Sequence, residues 1–193
     1  MNMENTIRIM DALCRSMPKG CSINQASRLS GVGVATAHRA LKRMEASNEV
    51  LKERVGTSLL YRPNLRNVTA LKYCELSSIE RRKLVLSKNP AVTAGILGLK
   101  DVADSVVLFG SVARGEHNPN DVDLLLLFAR RRHVSGIEKA MPPKFSPIYM
   151  SFGEFSQKLK SGEKLMAGIL KDAVVVSGEG RYWAAIRDAY EKD

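Results

Sequence analysis

Two apolar runs separated by a glycine turn constrain the fold of this chain more than any other feature. The run SVVLF, at Ser105–Phe109, leads directly into Gly110 and Ser111, and DVDLLLLF follows at 121–128. Short stretches rich in apolar and β-branched residues are typical of buried strands. The two runs therefore predict a sheet in the C-terminal part, with a short helical turn starting after the glycine and ending at Gly115.

Two aspartates, Asp121 and Asp123, head the second run. Because successive side chains of a strand alternate between faces, both carboxylates are expected to point the same way, with Val122 buried behind them. Like charges this close repel unless a cation lies between them or backbone donors hold them. Mg²⁺ suits two such carboxylates together with phosphate oxygens. Asp121 and Asp123 are therefore predicted to bind metal.

The turn before the aspartates offers groups that bind phosphate. Gly110 has no Cβ and so lets a phosphate approach the backbone. Ser111 supplies a hydroxyl and an amide at a helix N-terminus, where anions are stabilised. Arg114 lies one turn further on and can reach a phosphate with a forked contact. These three residues are the predicted phosphate-binding set.

This motif resembles the DNA polymerase beta-like nucleotidyltransferase superfamily. The matching pattern is Gly110-Ser111, nine intervening residues, and Asp121-Val122-Asp123 followed by an apolar strand. The longer string GSVARGEHNPNDVDLLL is similar to the minimal nucleotidyltransferase domains, whose relatives include kanamycin nucleotidyltransferase. The resemblance implies an α/β (α+β) domain at 88–193 with a small mixed sheet flanked by helices. It also implies Mg²⁺ or Mn²⁺ as cofactor, held by Asp121 and Asp123 as catalytic residues. The same resemblance implies an NTP that yields NMP to an acceptor hydroxyl as pyrophosphate leaves, with Gly110, Ser111 and Arg114 as the nucleotide-binding residues.

A departure from the family pattern leaves two functions open. Catalytic members usually carry a third carboxylate on a later strand, yet the predicted later strand, within 144–152, has no Asp or Glu. Glu154 belongs to the helix expected next, and Asp172 comes near only if the chain folds back. General-base assistance is typically worth ~10²–10⁴ in rate. The motif favours an Mg²⁺-dependent nucleotidyltransferase, whereas the missing carboxylate favours a non-catalytic, nucleotide-binding transcription regulator resembling an antitoxin.

Positive charge is concentrated in the N-terminal part of the chain. Residues 1–83 contain 15 Lys and Arg against 7 Asp and Glu, a net of +8, whereas residues 84–193 contain 15 against 13, a net of +2. This asymmetry is typical of a nucleic-acid-binding module followed by a different domain.

The periodicity of the N-terminal part predicts three short helices and a hairpin. Apolar residues recur at helical spacing over 6–17, 22–30 and 34–48, and two short strands are expected around Gly56. The third helix is predicted to pack inward through the residues Val34, Ala37, Leu41 and Met44. Short helix, glycine turn, basic helix and hairpin together resemble a winged helix-turn-helix, at 1–68, with a connecting helix at 69–87.

That resemblance implies DNA as a partner, contacted by the third helix and the hairpin. The predicted DNA-binding residues are Thr36, His38, Arg39, Lys42, Arg43 and Arg54. A plain structural bundle or a protein-interaction module is the alternative interpretation of the same three helices. The connecting helix is either a homodimer contact or a connector that packs on its own domains.

The apolar stretches, the N-terminus, the cysteines and a run of arginines lead to further expectations. No stretch approaches the ~20 apolar residues that a membrane helix needs, and the N-terminus lacks a signal-peptide pattern, so we expect a cytoplasmic protein with no membrane partner. Three cysteines without a CxxC spacing predict small buried thiols. The run 130–132, three arginines, is interpreted either as a solvent-facing charge run or as a contact to triphosphate or nucleic acid.

Overall fold

The chain divides inside a long helix, where a first unit ends at Ser78 and a second begins at Ile79. The computed structural model describes residues 2–97, 99, 103–116, 121–128 and 145–191. The arginine run at 130–132 lies outside the described residues.

The first unit contains the predicted helices and hairpin in the predicted order. They are α1 (Met3–Cys14), α2 (Ile23–Ser30), α3 (Val34–Ala46), β1 (Val50–Val55), β2 (Ser58–Pro63) and the first part of α4 (Val68–Leu86). Ser22 caps α2: its hydroxyl accepts from the Gln25 amide while the Gln25 side chain accepts from the Ser22 amide. The helix pattern and the cap chemistry therefore agree on where α2 begins.

Helix α3 buries one face and leaves the opposite face exposed. Ala37, Leu41 and Met44 are fully buried, as predicted, and Ala40 joins them. The prediction for Val34 is wrong, because its side chain is 52% exposed. Val34 begins the helix between two exposed neighbours, so the first turn of α3 extends beyond the core that the later turns contact.

The hairpin is tied back to the helices by a short backbone bridge. β1 and β2 pair antiparallel around Gly56, whose φ of 60° suits the tight turn. Between α1 and α2, the Cys21 amide donates to the Tyr61 carbonyl at 3.0 Å, and the Tyr61 amide donates to the Cys21 carbonyl at 2.9 Å. This pairing fixes the base of the hairpin beside the start of α2.

The second unit is a four-stranded sheet flanked by helices. After the end of α4 come α5 (Pro90–Leu97), β3 (Ser105–Phe109), α6 (Gly110–Ala113), β4 (Val122–Phe128), β5 (Phe145–Ser151), α7 (Phe152–Lys160), α8 (Lys164–Asp172), β6 (Val174–Ser177) and α9 (Glu179–Tyr190). The strand order is β5-β4-β3-β6, with β4 parallel to β5 and antiparallel pairing elsewhere. The predicted small mixed sheet flanked by helices is confirmed.

Strand β4 lies in the middle of the sheet and is covered on both faces. Leu124, Leu125, Leu126 and Leu127 are all fully buried. The even-numbered members pack with Ile96 of α5 and Val112 of α6. Burying a leucine stabilises a fold by about 1.5–3 kcal/mol, so this run anchors the strand firmly. The residues at the head of β4 are therefore held in a fixed place.

The cysteines and the helices of the described residues bear on two expectations from the sequence. Cys14, Cys21 and Cys74 are buried free thiols, as predicted. Within the described part of the chain, no helix combines the length and apolarity required to cross a bilayer.

Candidate functional site

The predicted site residues meet at one end of the sheet. Antiparallel pairing brings the last residue of β3 opposite Asp123, and parallel pairing places the first residue of β5 opposite Val122. β6 also begins at this end, since Val174 pairs with Leu108. The C-terminal end of β3 thus meets the N-terminal ends of three strands, and the polar residues flanking those ends are gathered there.

Gly110 and Asp123 lie in close contact at this end of the sheet. Gly110 has a φ of 73°, a conformation that L side chains rarely adopt. A Cβ built on Gly110 would lie 3.0 Å from Cγ of Asp123, 3.3 Å from its Cβ and closer still to Oδ2. The carboxylate therefore fills the place that a side chain at position 110 would need. The sequence predicts that Gly110 lets a phosphate approach the backbone, and the structure adds that it admits the Asp123 side chain.

Gly110→Ala is expected to displace the Asp123 carboxylate, whereas Gly115→Ala is not. Gly115 also has a positive φ, 83°, but nothing lies within 4 Å of the Cβ position. Both substitutions should destabilise the protein by ~1–3 kcal/mol through backbone strain. Only Gly110→Ala should also impair ligand binding at the aspartates. Thermal unfolding and triphosphate titration of the pair check this, and equal binding by both variants would contradict it.

The two aspartates interact unfavourably, as their spacing predicts. Asp121 is exposed and Asp123 is half-buried, while Val122 between them is buried. Burial raises the pKa of Asp123, the negative charge of Asp121 raises it further, and the Arg114 guanidinium opposes both effects. A cation shared by the two carboxylates would relieve this repulsion.

The donor set fits a hard divalent cation that also binds phosphate. Mg²⁺ is commonly held by one or two carboxylates, with substrate phosphates and water completing the shell. Asp121 and Asp123 supply two carboxylates, and the Gly110 backbone lies beside that of Asp123. Within the described ranges, no cluster of three or more Asp, Glu, His or Cys could hold a metal. The described residues therefore fit a cation shared with a ligand better than an all-protein metal cage.

Arg114 lies close enough to the aspartates to act on them electrostatically. It follows α6 directly, and its positive charge lowers the pKa of Asp123. Its side chain donates to Asp172 and to Glu116. Ser111 is half-buried in α6, which has only four residues. Because so short a helix aligns few peptide dipoles, the groups that Ser111 offers to an anion are its hydroxyl and amide, without the support of a helix dipole.

A serine occupies the strand position beside Asp123. On β5, which has no Asp or Glu, Ser146 is in register with Asp123 and is exposed. Neighbouring residues in register on parallel strands point to the same face of a sheet. Glu154 accepts from the Ser151 amide at 2.7 Å in the cap of α7, so it belongs to the helix as expected.

Asp172 reaches the site region through Arg114. Its Oδ2 accepts from Nη1 of Arg114 at 2.9 Å, across 58 positions of sequence. The chain folds back because β6, which starts two residues after Asp172, pairs antiparallel with β3. Local sequence patterns carry no signal for such a contact, so sequence reasoning left the position of Asp172 open.

In the first unit, the predicted DNA-binding residues differ in exposure and in hydrogen bonding. His38, Arg39 and Lys42 are exposed at helical spacing on α3, and Arg54 is exposed on β1. Thr36 is half-buried and accepts from Arg39 at 3.5 Å. Arg43 is exposed but donates to Thr6 of α1 at 3.4 Å. Its side chain is therefore directed toward α1, at the edge of the exposed face of α3. His38, Arg39 and Lys42 therefore form the centre of the exposed face of α3.

The comparisons with known proteins bear on the second unit. Residues 96–190 match the family model described as "Nucleotidyltransferase domain". The matched segment contains β3, α6 and β4 with both aspartates, and it supports the nucleotidyltransferase part of the resemblance for this region. The match covers no part of the first unit. No curated protein and no solved structure gives a significant match to the chain.

Proposed function

We propose that the second unit binds Mg²⁺ and a nucleoside triphosphate and transfers the nucleoside monophosphate to an acceptor hydroxyl. The observation that carries this proposal is the pair Asp121 and Asp123 at the head of a buried strand, with Asp123 lying against Gly110. A cation shared by the two carboxylates would offset their repulsion, and carboxylates at the head of a buried strand are suitable ligands for it. The family match over 96–190 supports the same class of reaction.

Each residue of the site has a distinct part in this proposal. Asp121 and Asp123 would hold Mg²⁺ or Mn²⁺ through their carboxylates. Arg114 would contact a phosphate, and the Ser111 hydroxyl and amide would orient the triphosphate beside the Gly110 backbone. When bound, the metal would neutralise negative charge on the triphosphate and assist departure of pyrophosphate.

A second candidate function follows from the residue beside Asp123. Ser146 cannot accept a proton from an acceptor hydroxyl as a carboxylate can, and β5 offers no acid in its place. Without that assistance the nucleophile is poorly activated. The alternative is therefore a DNA-binding regulator whose second unit binds nucleotide without turning it over.

One assay separates the two candidates. The protein is incubated with labelled ATP, CTP, GTP or UTP and Mg²⁺, and pyrophosphate release and label transfer are scored. Turnover that is present in the wild type and lost in Asp123→Ala supports the transferase. Mg²⁺-dependent binding without turnover on any acceptor supports the regulator, and no binding at all contradicts both.

We further propose that the first unit is a winged helix-turn-helix that binds DNA. Three helices precede a two-stranded hairpin, and the Cys21 and Tyr61 backbones join the stretch before α2 to that hairpin. The exposed face of α3 carries Arg39 and Lys42, and the net charge of residues 1–83 is +8. A basic helix face beside a hairpin suits contact with phosphates and base edges.

Replacing Arg39 and Lys42 together with alanine is expected to weaken binding to a mixed-sequence DNA duplex by about tenfold at low salt. The slope of log affinity against log salt should become shallower by about one for each lost phosphate contact. Lys72→Ala is the control, because this exposed lysine lies on α4 and pairs with Glu75. Fluorescence anisotropy across a salt series measures both quantities. Identical salt slopes for the double variant, the control and the wild type would argue against the proposed interface.

A further inference from the structure

Arg114 is held between two carboxylates that differ in how firmly they are fixed. Its Nη1 donates to Oδ2 of Asp172 at 2.9 Å. Its Nε donates to Oε1 of Glu116 at 2.9 Å, and its Nη2 lies 2.7 Å from the same oxygen. Glu116 therefore occupies the Nε and Nη2 edge of the guanidinium, while Asp172 takes a donor outside that pair.

Asp172 is the firmly placed partner of the two. Its side chain is only 16% exposed, and it is the last residue of α8, immediately before the turn into β6. The backbone carbonyl of Asp172 accepts from Nη2 of Arg81 at 3.2 Å, which holds that turn. The Asp172 carboxylate is thus attached to the sheet through both its strand and its neighbours.

Glu116 is the loosely placed partner. Its side chain is 55% exposed, and it lies two residues after Arg114 in a stretch without helix or strand structure. Ion pairs between exposed side chains contribute little, because water screens them and both side chains lose freedom when they pair. Glu116 can therefore leave Arg114 at small cost when a stronger anion arrives.

The two edges of the guanidinium suit different purposes. The parallel Nε and Nη2 donors match two oxygens of a phosphate in a forked contact. That forked edge is the one that Glu116 covers. The bond to Asp172 leaves it available once Glu116 has moved away, and it keeps the guanidinium from swinging into solvent.

We propose that Glu116 is a placeholder on the phosphate-binding edge of Arg114, and that Asp172 is the positioning residue that keeps Arg114 directed at the triphosphate. This inference rests on the proposed function, in which a metal-bound NTP enters the site beside Gly110 and Asp123. It predicts that two carboxylates of equal charge, both bonded to one arginine, have opposite effects on ligand affinity.

The test compares Glu116→Gln with Asp172→Asn, which remove the same charge with little change in size. Each NTP is titrated with Mg²⁺ into the full chain by calorimetry, and thermal unfolding reports whether each variant is folded. Glu116→Gln should bind roughly two- to fivefold more tightly than the wild type, and Asp172→Asn roughly two- to fivefold more weakly. A merely structural role for either residue cannot produce tighter binding, so the opposite signs are diagnostic.

The outcomes distinguish this inference from the proposed function. Tighter binding by Glu116→Gln together with weaker binding by Asp172→Asn supports the placeholder and positioning roles. Affinities that rise together indicate a general charge effect, and unchanged affinities indicate no role, so either result overturns the inference while the proposed function stands. If Asp172→Asn unfolds, Glu116→Gln is repeated in a chain that also carries Arg114→Ala. A gain in affinity that requires Arg114 supports the placeholder role, and a gain that persists without Arg114 indicates a general charge effect and overturns it. A wild type that takes up no NTP overturns both proposals.

Discussion

Replacing Asp123 with asparagine is expected to weaken Mg²⁺-dependent NTP binding at least ~100-fold, about 2.8 kcal/mol. Asparagine keeps the shape of the side chain that packs against Gly110 but removes one of the two carboxylates proposed to hold the metal. The same change should make the ligand-free protein slightly more stable. Burial and the charge of Asp121 raise the pKa of Asp123, so folding works against its ionised form.

The sign of the stability effect depends on pH. A carboxyl whose pKa is raised by folding adds no penalty below its ordinary pKa, where it is protonated in both states. The penalty grows between the ordinary and the raised pKa and is constant above it, so the gain in Asp123→Asn should be present at neutral pH and absent in acid. Calorimetric titration and thermal unfolding at several pH values measure both effects. Asp188→Asn on α9 is the control, since Asp188 interacts with Arg187 and should show neither effect.

Wild-type NTP affinity in Asp123→Asn would contradict the assignment of Asp123 as a metal ligand. Loss of binding together with a marked fall in thermal stability would instead point to a structural role for this carboxylate.

Ser146→Asp is expected to increase the rate of pyrophosphate release, toward the ~10²–10⁴ that general-base assistance contributes. Ser146 is in register with Asp123 on the neighbouring parallel strand and is exposed, so a carboxylate there would share the face of the sheet with Asp123. Ser146→Asn is the matched control, because it has the same size without the charge. Rates are measured with saturating Mg²⁺ and NTP, with water as acceptor.

A gain in Ser146→Asp that is absent in Ser146→Asn would show that the domain lacks only a proton acceptor beside its metal ligands. Equal rates in the wild type and both variants would contradict the placement of the missing carboxylate at this position. In that case the acceptor proton is handled elsewhere, or the domain binds nucleotide without transferring it.

The parts of the site that were predictable from sequence depend on local periodicity. Asp121 and Asp123 could be placed together because side chains alternate along any strand, and Val122 is buried between them as that alternation requires. The bounds of β3 followed from a run of apolar and β-branched residues that ends at the glycine. The cap of α2 likewise depends on two residues close together in the sequence, Ser22 and Gln25.

The unpredicted parts depend on contacts between distant residues. Asp172 meets Arg114 only because β6 returns antiparallel to β3, and no local pattern encodes that topology. The register that sets Ser146 beside Asp123 is also a property of the assembled sheet. Val34 has the helical spacing of a core residue, but the extent of the neighbouring elements decides whether the first turn of α3 is covered. Periodicity identifies faces, whereas tertiary packing decides which parts of a face are buried.

The central claim is that two neighbouring carboxylates, set against a glycine at the end of a sheet, form a cation-dependent triphosphate site. Titrating the wild-type protein with each of the four NTPs, first with Mg²⁺ and then with EDTA, tests it most directly. We expect saturable uptake of at least one NTP with Mg²⁺ and its loss with EDTA. Uptake of none of the four, or equal uptake in the absence of the cation, would contradict the claim.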